Sequence, residues 1–279
     1  MKEIKHKKFA NGIVYALETD DGYPIEVTDT FLPYYTKDAI GEKQNALHSK
    51  ELGDRSERWM IGVSVMSGCP VGCKFCATGK LKRCRNLTAE EIIEQVKFIL
   101  SKHEDGLEMA RRAKEFKINY TRMGEPFLNI DNIRDAIDGI DAYIVGNPLL
   151  YAMLGALDYL PKVHHYISTI GIKGSDFSWI AGGITLQFSV HSFKEDYRDW
   201  LIPYKHKMTL EEIAAVRTDS NLKTTLNLTL ARKEDFDIEK LKRLFDPAKF
   251  FIKLSPINPN DVSEENHMGL GVIEQVNLI

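Results

Sequence analysis

Apolar and polar positions in this chain follow two periods. Several short stretches alternate every second residue. In Phe116–Thr121, Phe116, Ile118 and Tyr120 oppose Lys117, Asn119 and Thr121. In Ile184–His191, Ile184, Leu186, Phe188 and Val190 oppose Thr185, Gln187, Ser189 and His191. In Leu222–Leu230, Leu222, Leu226, Leu228 and Leu230 oppose Lys223, Thr225, Asn227 and Thr229. This pattern predicts strands with one apolar and one polar face. Ile61–Met66, Val163–Thr169 and Phe250–Ser255 read as three more strands. Helical spacing falls between them. Thr88-Ala89-Glu90-Glu91 has the form of a capping box, and Ile92, Ile93, Val96, Ile99 and Leu100 then form one apolar stripe. Further helices are predicted from about Asp131, near Leu210–Val216 and near Ile238–Phe245, with an extra outer helix in 142–160.

Strands alternating with helices imply parallel βα units joined by right-handed crossovers. Six such strands predict an α/β fold, a partial (β/α)6 barrel. Apolar faces go under the helices, and polar faces line the inside of the curved sheet. A packed barrel interior is filled with Val, Ile and Leu, so a polar interior predicts a wet cavity for polar ligands. The competing reading, faces that simply meet solvent, suits antiparallel sheets better. Residues 1–33 read as a small N-terminal β-hairpin extension: Ile13–Leu17 is strand-like, Asp20-Asp21-Gly22 is a turn signal, and Ile25-Glu26-Val27 alternates. Residues 34–58 are polar without a clear period and read as a loop or lid. The expected organisation is an N-terminal hairpin and polar loop at 1–60, the partial barrel at 61–260 and a short tail at 261–279.

Composition adds limits. Over 279 residues, 43% are hydrophobic and 28% charged, the make-up of a soluble globule with a sizeable core. No apolar run approaches a membrane span, and the opening Met1-Lys2-Glu3-Ile4-Lys5-His6-Lys7-Lys8 lacks the apolar stretch of a signal peptide. Four cysteines, three of them clustered, do not form a secreted disulfide framework, so a cytoplasmic location is expected. A net charge of −3 provides no global positive field for nucleic acid.

The chemistry sits in the loop after the first strand. Cys69, Cys73 and Cys76 are spaced C-x3-C-x2-C among Gly68, Gly72 and Gly79. Three thiolates on one short loop suit three corners of a [4Fe–4S] cluster, leaving one iron open to a non-protein ligand. Structural zinc sites use four ligands in paired C-x2-C form, and Cys84 does not have that spacing. A Cys73–Cys76 redox dithiol leaves Cys69 without a task. In parallel α/β folds the functional face lies at the carboxyl ends of the strands. The cysteine loop, Gly124-Glu125, Ser168, His191 and Asn258 all follow or end predicted strands, and are expected to converge.

The cysteine spacing, with Phe75 before the last cysteine, resembles the radical S-adenosylmethionine (SAM) superfamily. More closely, several segments resemble its 23S ribosomal RNA adenine methyltransferase family: Cys69–Cys76, Ala77-Thr78-Gly79, Arg85–Ile92, Met123–Asn129, Ile167–Gly171, Phe188–His191 and Pro256–Pro259. Their order covers roughly residues 60–260. The resemblance implies a cluster on Cys69, Cys73 and Cys76, reductive SAM cleavage to a 5′-deoxyadenosyl radical, and a flavodoxin- or ferredoxin-like electron donor. It implies that Gly124 and Glu125 meet the SAM amino end, and that Ser168, Ser189, His191 and Asn258 meet its carboxylate, ribose or adenine. The expected substrate is polar, nucleotide-like or RNA, and no catalytic residue is assigned.

The chain also departs from that family, whose methyltransferases use two further cysteines. One lies seven residues before the first cluster cysteine, where this chain has Gly62; the other lies near the C-terminus, where Asp261–Ile279 contains none. The family's large N-terminal accessory domain is expected to be missing. The usual methyl transfer therefore cannot run unchanged. Three further features stand out. Cys84 is the one spare thiol, Glu26 in the hairpin is a candidate base, and Lys80, Lys82, Arg83 and Arg85 form a basic run suited to phosphate or to solvent.

Overall fold

The computed structural model describes residues 1–32, 53–146, 149, 153 and 161–269. The polar stretch expected as a loop or lid lies largely outside these residues, as do most of the helix expected in 142–160 and the end of the expected tail. Strands run at Lys2–Phe9 (β1), Gly12–Glu18 (β2), Pro24–Leu32 (β3), Arg58–Val63 (β4), Met66–Ser67 (β5), Arg85–Asn86 (β6), Glu115–Tyr120 (β7), Val163–Thr169 (β8), Ile184–Ser189 (β9), Thr224–Leu228 (β10) and Phe250–Leu254 (β11). The chain divides into two compact units. The first comprises 1–65, 87–123 and 129–165, the second 66–86, 124–128 and 166–279.

In the first unit, β1, β2, β3 and β4 form an antiparallel meander, and β7 then adds parallel to β4. The expected hairpin is therefore three-stranded. β1 was not legible because its residues are nearly all exposed, which leaves no apolar alternation to read. Helix α1 (Ala89–Ser101) opens with the predicted capping box. Thr88 accepts from the Glu91 amide, and the Glu91 carboxylate accepts from the Thr88 amide. Its Ile92, Val96 and Ile99 are fully buried. Helix α2 (Gly106–Arg112) follows, and α3 (Ile130–Val145) lies close to α1: a Cβ on Gly139 would come 2.5 Å from Ile93 Cδ1. Trp59, Ile61 and Val63 of β4 and Phe116, Ile118 and Tyr120 of β7 complete this core. The alternation read in Phe116–Thr121 is thus realised, with the apolar members inside.

The second unit carries the carboxyl half of β8 (166–169) with β9, β10 and β11, in that order. β10 runs parallel to β9, with Asn227 opposite Ser189, and parallel to β11. Ile167, Phe188, Val190, Leu226 and Leu228 are buried together with Phe193, Leu201 and Ile202. The fold is α/β with a mostly parallel sheet, as the alternating pattern predicted. The strand read as Ile61–Met66 stops at Val63. Met66-Ser67 instead forms a two-residue ribbon with Arg85-Asn86, which brackets the cysteine loop. No helix among the described residues is long and apolar enough to cross a membrane.

Candidate functional site

The second unit contains every residue that the sequence nominated for cofactor binding. The cysteine loop starts at Gly68, whose φ of +74° is left-handed backbone. A Cβ there would lie 2.8 Å from the Arg83 carbonyl and 3.1 Å from Cys84 Cβ, so only glycine fits. Cys84 therefore packs behind the first turn of the loop. Three hydrogen bonds fix the backbone around Cys73 and Cys76. Lys74 N–H donates to the Leu201 carbonyl at 2.9 Å, Asn260 Nδ2 to the Phe75 carbonyl at 3.0 Å, and Asn266 Nδ2 to the Lys74 carbonyl at 2.9 Å.

Burial pushes the Cys69 thiol up to about 12, and the neighbouring Cys76, Glu125 and Cys84 add to the rise. Cys73 is raised well above its ordinary value by burial, then by Cys76, Cys69 and Glu125. Cys69 and Cys73, both raised chiefly by burial, need a cationic load to become thiolates together. A cluster provides that load and displaces the protons. A cubane spreads its thiolates over three irons, so the ligands surround it instead of meeting at a point. Three half-buried cysteines on a loop fixed by glycine and backbone bonds fit that group. The fourth cysteine, Cys84, is exposed at the far end of the loop, next to Arg85 of β6.

Gly124-Glu125 follows the same logic of close approach. Gly124 has φ +106°, and a Cβ there would come 2.6 Å from Met66 Cγ. The turn can therefore lie directly on β5. Glu125 is buried. Its Oε1 accepts from Thr169 Oγ1 at 2.5 Å and from Phe127 N–H at 3.1 Å, and its Oε2 from Ile170 N–H at 3.0 Å. All three donors are neutral. Burial raises its carboxyl to about 7 despite them. Among the described residues Glu125 is thus a buried carboxyl group with no cation on it, and it also caps the short turn Pro126–Leu128.

His191 lies beyond the end of β9, with φ +61°. Its Nδ1 accepts from Thr229 N–H at 3.1 Å, which leaves the proton on Nε2. Burial, and then the Arg198 charge, lower it to about 3, so it is neutral. Its ring meets Phe75 edge-on at 4.9 Å. Polar side chains on and just after β8–β11, including the polar faces predicted for Ile184–His191 and Leu222–Leu230, form two hydrogen-bonded groups. Gln187 Nε2 donates to Ser168 Oγ at 2.6 Å, and Ser168 and Ser189 lie 3.3 Å apart. Tyr166 OH donates to Gln187 Oε1 at 2.5 Å, and Ser255 Oγ to Asn227 Oδ1 at 2.6 Å. Asn258 is exposed, and its carbonyl accepts from Asn260 Nδ2 at 2.8 Å.

Sequence reading missed the residues that hold these groups in place. Buried Arg198 donates to the carbonyls of Val190, Met208 and Ile170. Thr169 holds Glu125, and Asn260 and Asn266 hold the cysteine loop. Of these, only Asn260 carried a local signal, since it caps the helix Asp261–Glu265. A cleft of about 450 Å³ in this unit is lined by Arg198, Pro203, Lys205 and Lys207 among others, and by none of the cysteines. Of the basic run, Lys80 pairs with Glu265 at 2.7 Å on the surface.

Comparison with known proteins agrees with this geometry. The family model described as the radical SAM superfamily matches residues 63–245. Among curated relatives, the probable dual-specificity RNA methyltransferase RlmN of Thermotoga neapolitana is 30% identical over 206 residues, 71% of this chain and 54% of the relative. The dual-specificity RNA methyltransferase RlmN of Campylobacter concisus is 29% identical over 275 residues, 95% of this chain and 65% of the relative. The chain thus spans roughly half to two thirds of the length of these relatives. A radical SAM methyltransferase from Sphaerobacter thermophilus shares the fold, with a TM-score of 0.67 at 22% identity over 99% of this chain and 72% of that one. The chain belongs to the radical SAM superfamily, whose enzymes use a [4Fe–4S] cluster and SAM.

Proposed function

We propose that this enzyme binds a [4Fe–4S] cluster through Cys69, Cys73 and Cys76 and cleaves SAM reductively to abstract hydrogen from a polar, nucleotide-like substrate. When bound, the cluster supplies the electron and SAM the 5′-deoxyadenosyl group. The protein's part is positioning. Glu125 offers the SAM ammonium the one charge that its neutral donors do not provide. His191 Nε2–H, held in its tautomer by Thr229, serves as a neutral donor. Ser168, Ser189 and Asn258 complete the contacts to carboxylate, ribose and adenine. Residues 61–260 form the catalytic partial barrel, with 1–60 as an N-terminal extension and 261–279 as a tail. A flavodoxin- or ferredoxin-like protein supplies electrons, and the compartment is the cytoplasm.

One observation carries the reading. A buried glutamate with no cation on it among the described residues, and three cysteines on one loop of which Cys69 and Cys73 are raised by burial, lie in the same unit as a neutral histidine. The names of the relatives favour a second reading, an RNA adenine methyltransferase with a remodelled mechanism. Anaerobic reconstitution, dithionite reduction and SAM addition separate the two, with Cys73→Ala as control. 5′-Deoxyadenosine without S-adenosylhomocysteine supports the first reading. S-adenosylhomocysteine formed only when RNA is present supports the second. Neither product, from protein whose cluster is intact by electron paramagnetic resonance and with SAM and candidate nucleotides present, sinks the first.

A further inference from the structure

Gly62, Glu26 and Arg122 form one constellation in the first unit. Gly62 lies on β4 opposite Thr28 of β3. Glu26 and Thr28 share a face of β3, being two residues apart. Arg122 follows the carboxyl end of β7 and precedes Gly124 by two residues. A Cβ on Gly62 would overlap Thr28 Oγ1 and lie 2.9 Å from Arg122 Cδ and 3.3 Å from its Cγ. The stem of Arg122 thus fills the space that a side chain at 62 would need. A side chain at 62 would therefore have to displace Thr28 Oγ1 and the present Arg122 stem.

Among the described residues the guanidinium is held by Glu26. Its Nη2 donates to Glu26 Oε1, whereas its Nε is buried and has no hydrogen-bond partner among the described residues. Both side chains keep about a third of their surface open, 31% for Arg122 and 36% for Glu26. A buried N–H without an acceptor is costly unless a ligand provides one. Guanidinium groups fork carboxylate and phosphate oxygens with their remaining donors. Chain position puts this donor at the carboxyl end of a parallel strand, where parallel α/β folds bind ligands.

We propose that Arg122, paired with Glu26 beside the side-chain-free Gly62 in the free enzyme, anchors the substrate by taking one of its oxyanions, a carboxylate or a phosphate. The proposal deepens the radical SAM reading, since it names the substrate class that the enzyme would act on. Thiol chemistry at position 62 is replaced by charge recognition.

The test is calorimetric binding of three probes to the whole cluster-loaded chain: AMP, adenosine and succinate. AMP over adenosine reports a phosphate, and succinate reports a carboxylate. The expected result is preference for at least one oxyanion probe, weakened about tenfold or more in Arg122→Gln and less in Arg122→Lys. Adenosine and SAM binding should not change. Glu26→Gln removes a competing carboxylate and is expected to tighten the oxyanion probe several-fold. A purely structural ion pair would give no such gain, so this variant decides the matter even if Arg122→Gln fails to fold. Equal binding of AMP and adenosine with no succinate binding, or wild-type affinities in Arg122→Gln, would overturn the proposal. SAM that binds but is never cleaved, alongside intact oxyanion binding, would refute the proposed function and leave this assignment standing.

Discussion

Two buried carboxylates show how differently the two units treat charge. Asp29, in the first unit, is completely buried. Its Oδ1 accepts from Arg55 Nε at 3.0 Å and Trp59 Nε1 at 2.8 Å, and its Oδ2 from Arg55 Nη2 at 2.7 Å and His103 Nε2 at 2.8 Å. All four acceptor sites are filled, two of them by one guanidinium. Glu125, in the second unit, has three neutral donors and no cation. Asp29 is charge-matched within the chain. Glu125 is not, and burial without a counter-charge lifts its carboxyl to about 7. A carboxylate that a fold closes internally is part of the frame. One that is kept buried and unmatched suits a cation from outside.

The largest effect that tests this contrast is on stability. Asp29→Ala strands Arg55, Trp59 and His103 and should cost about 3 kcal/mol or more in urea denaturation, as expected when one partner of a buried pair is removed. SAM affinity of the loaded enzyme should be untouched. Glu125→Gln should do the reverse, weakening SAM about 10- to 100-fold by titration and leaving stability within about 1 kcal/mol. Should Glu125→Gln unfold as readily as Asp29→Ala, or bind SAM normally, the two carboxylates do not differ in kind.

A second, smaller effect is pH dependence. With its folded value raised, Glu125 holds a proton that the unfolded chain has already released. Its contribution to stability is therefore present below the ordinary 4.5 and is lost as pH rises through about 7. SAM binding should run the other way, because the ammonium needs the ionised form. Affinity should rise from pH 6 to 8, up to about tenfold per unit below 7. His191, lowered to about 3, stays neutral across that window and adds no slope. Titrations at pH 6, 7 and 8 should show the trend in the parent enzyme and a flat line in Glu125→Gln. A flat parent profile would mean that Glu125 is already ionised by a partner.

The cluster loop and the polar strand faces were legible because both are local patterns. Cysteine spacing survives any fold, and alternation in Ile184–Ser189 declares its faces without reference to neighbours. The Thr88–Glu91 capping box was legible for the same reason. What holds the site was not. Thr169 bonds a carboxylate 44 positions away, and Asn266 bonds a carbonyl 192 positions away, so no window along the chain contains both ends. Arg198 carries no motif or spacing that marks it in the sequence, and it is buried on three carbonyls. Gly62 was read as a lost cysteine. Only the fold shows Arg122 in its place.

The smallest effect is the sharpest test of the contrast, because it alters one neutral donor and no charge. Thr169 Oγ1 donates to Glu125 Oε1 and accepts from Gly171 N–H at 2.9 Å. Thr169→Val keeps the shape and removes both bonds. The ionised form of Glu125 loses a donor, so its pKa should climb, by about one unit if the bond is of ordinary strength. The midpoint of the SAM-affinity profile should move up by the same amount, with the affinities of parent and variant converging above pH 9. A donor removed from Asp29 should behave otherwise. With Arg55 still forked onto it, His103→Gln should leave SAM binding unchanged at every pH. A midpoint that stays put in Thr169→Val would mean that the bond to Thr169 is not what keeps Glu125 near neutrality. The burden would then fall on the Ile170 and Phe127 amides, which no side-chain substitution removes.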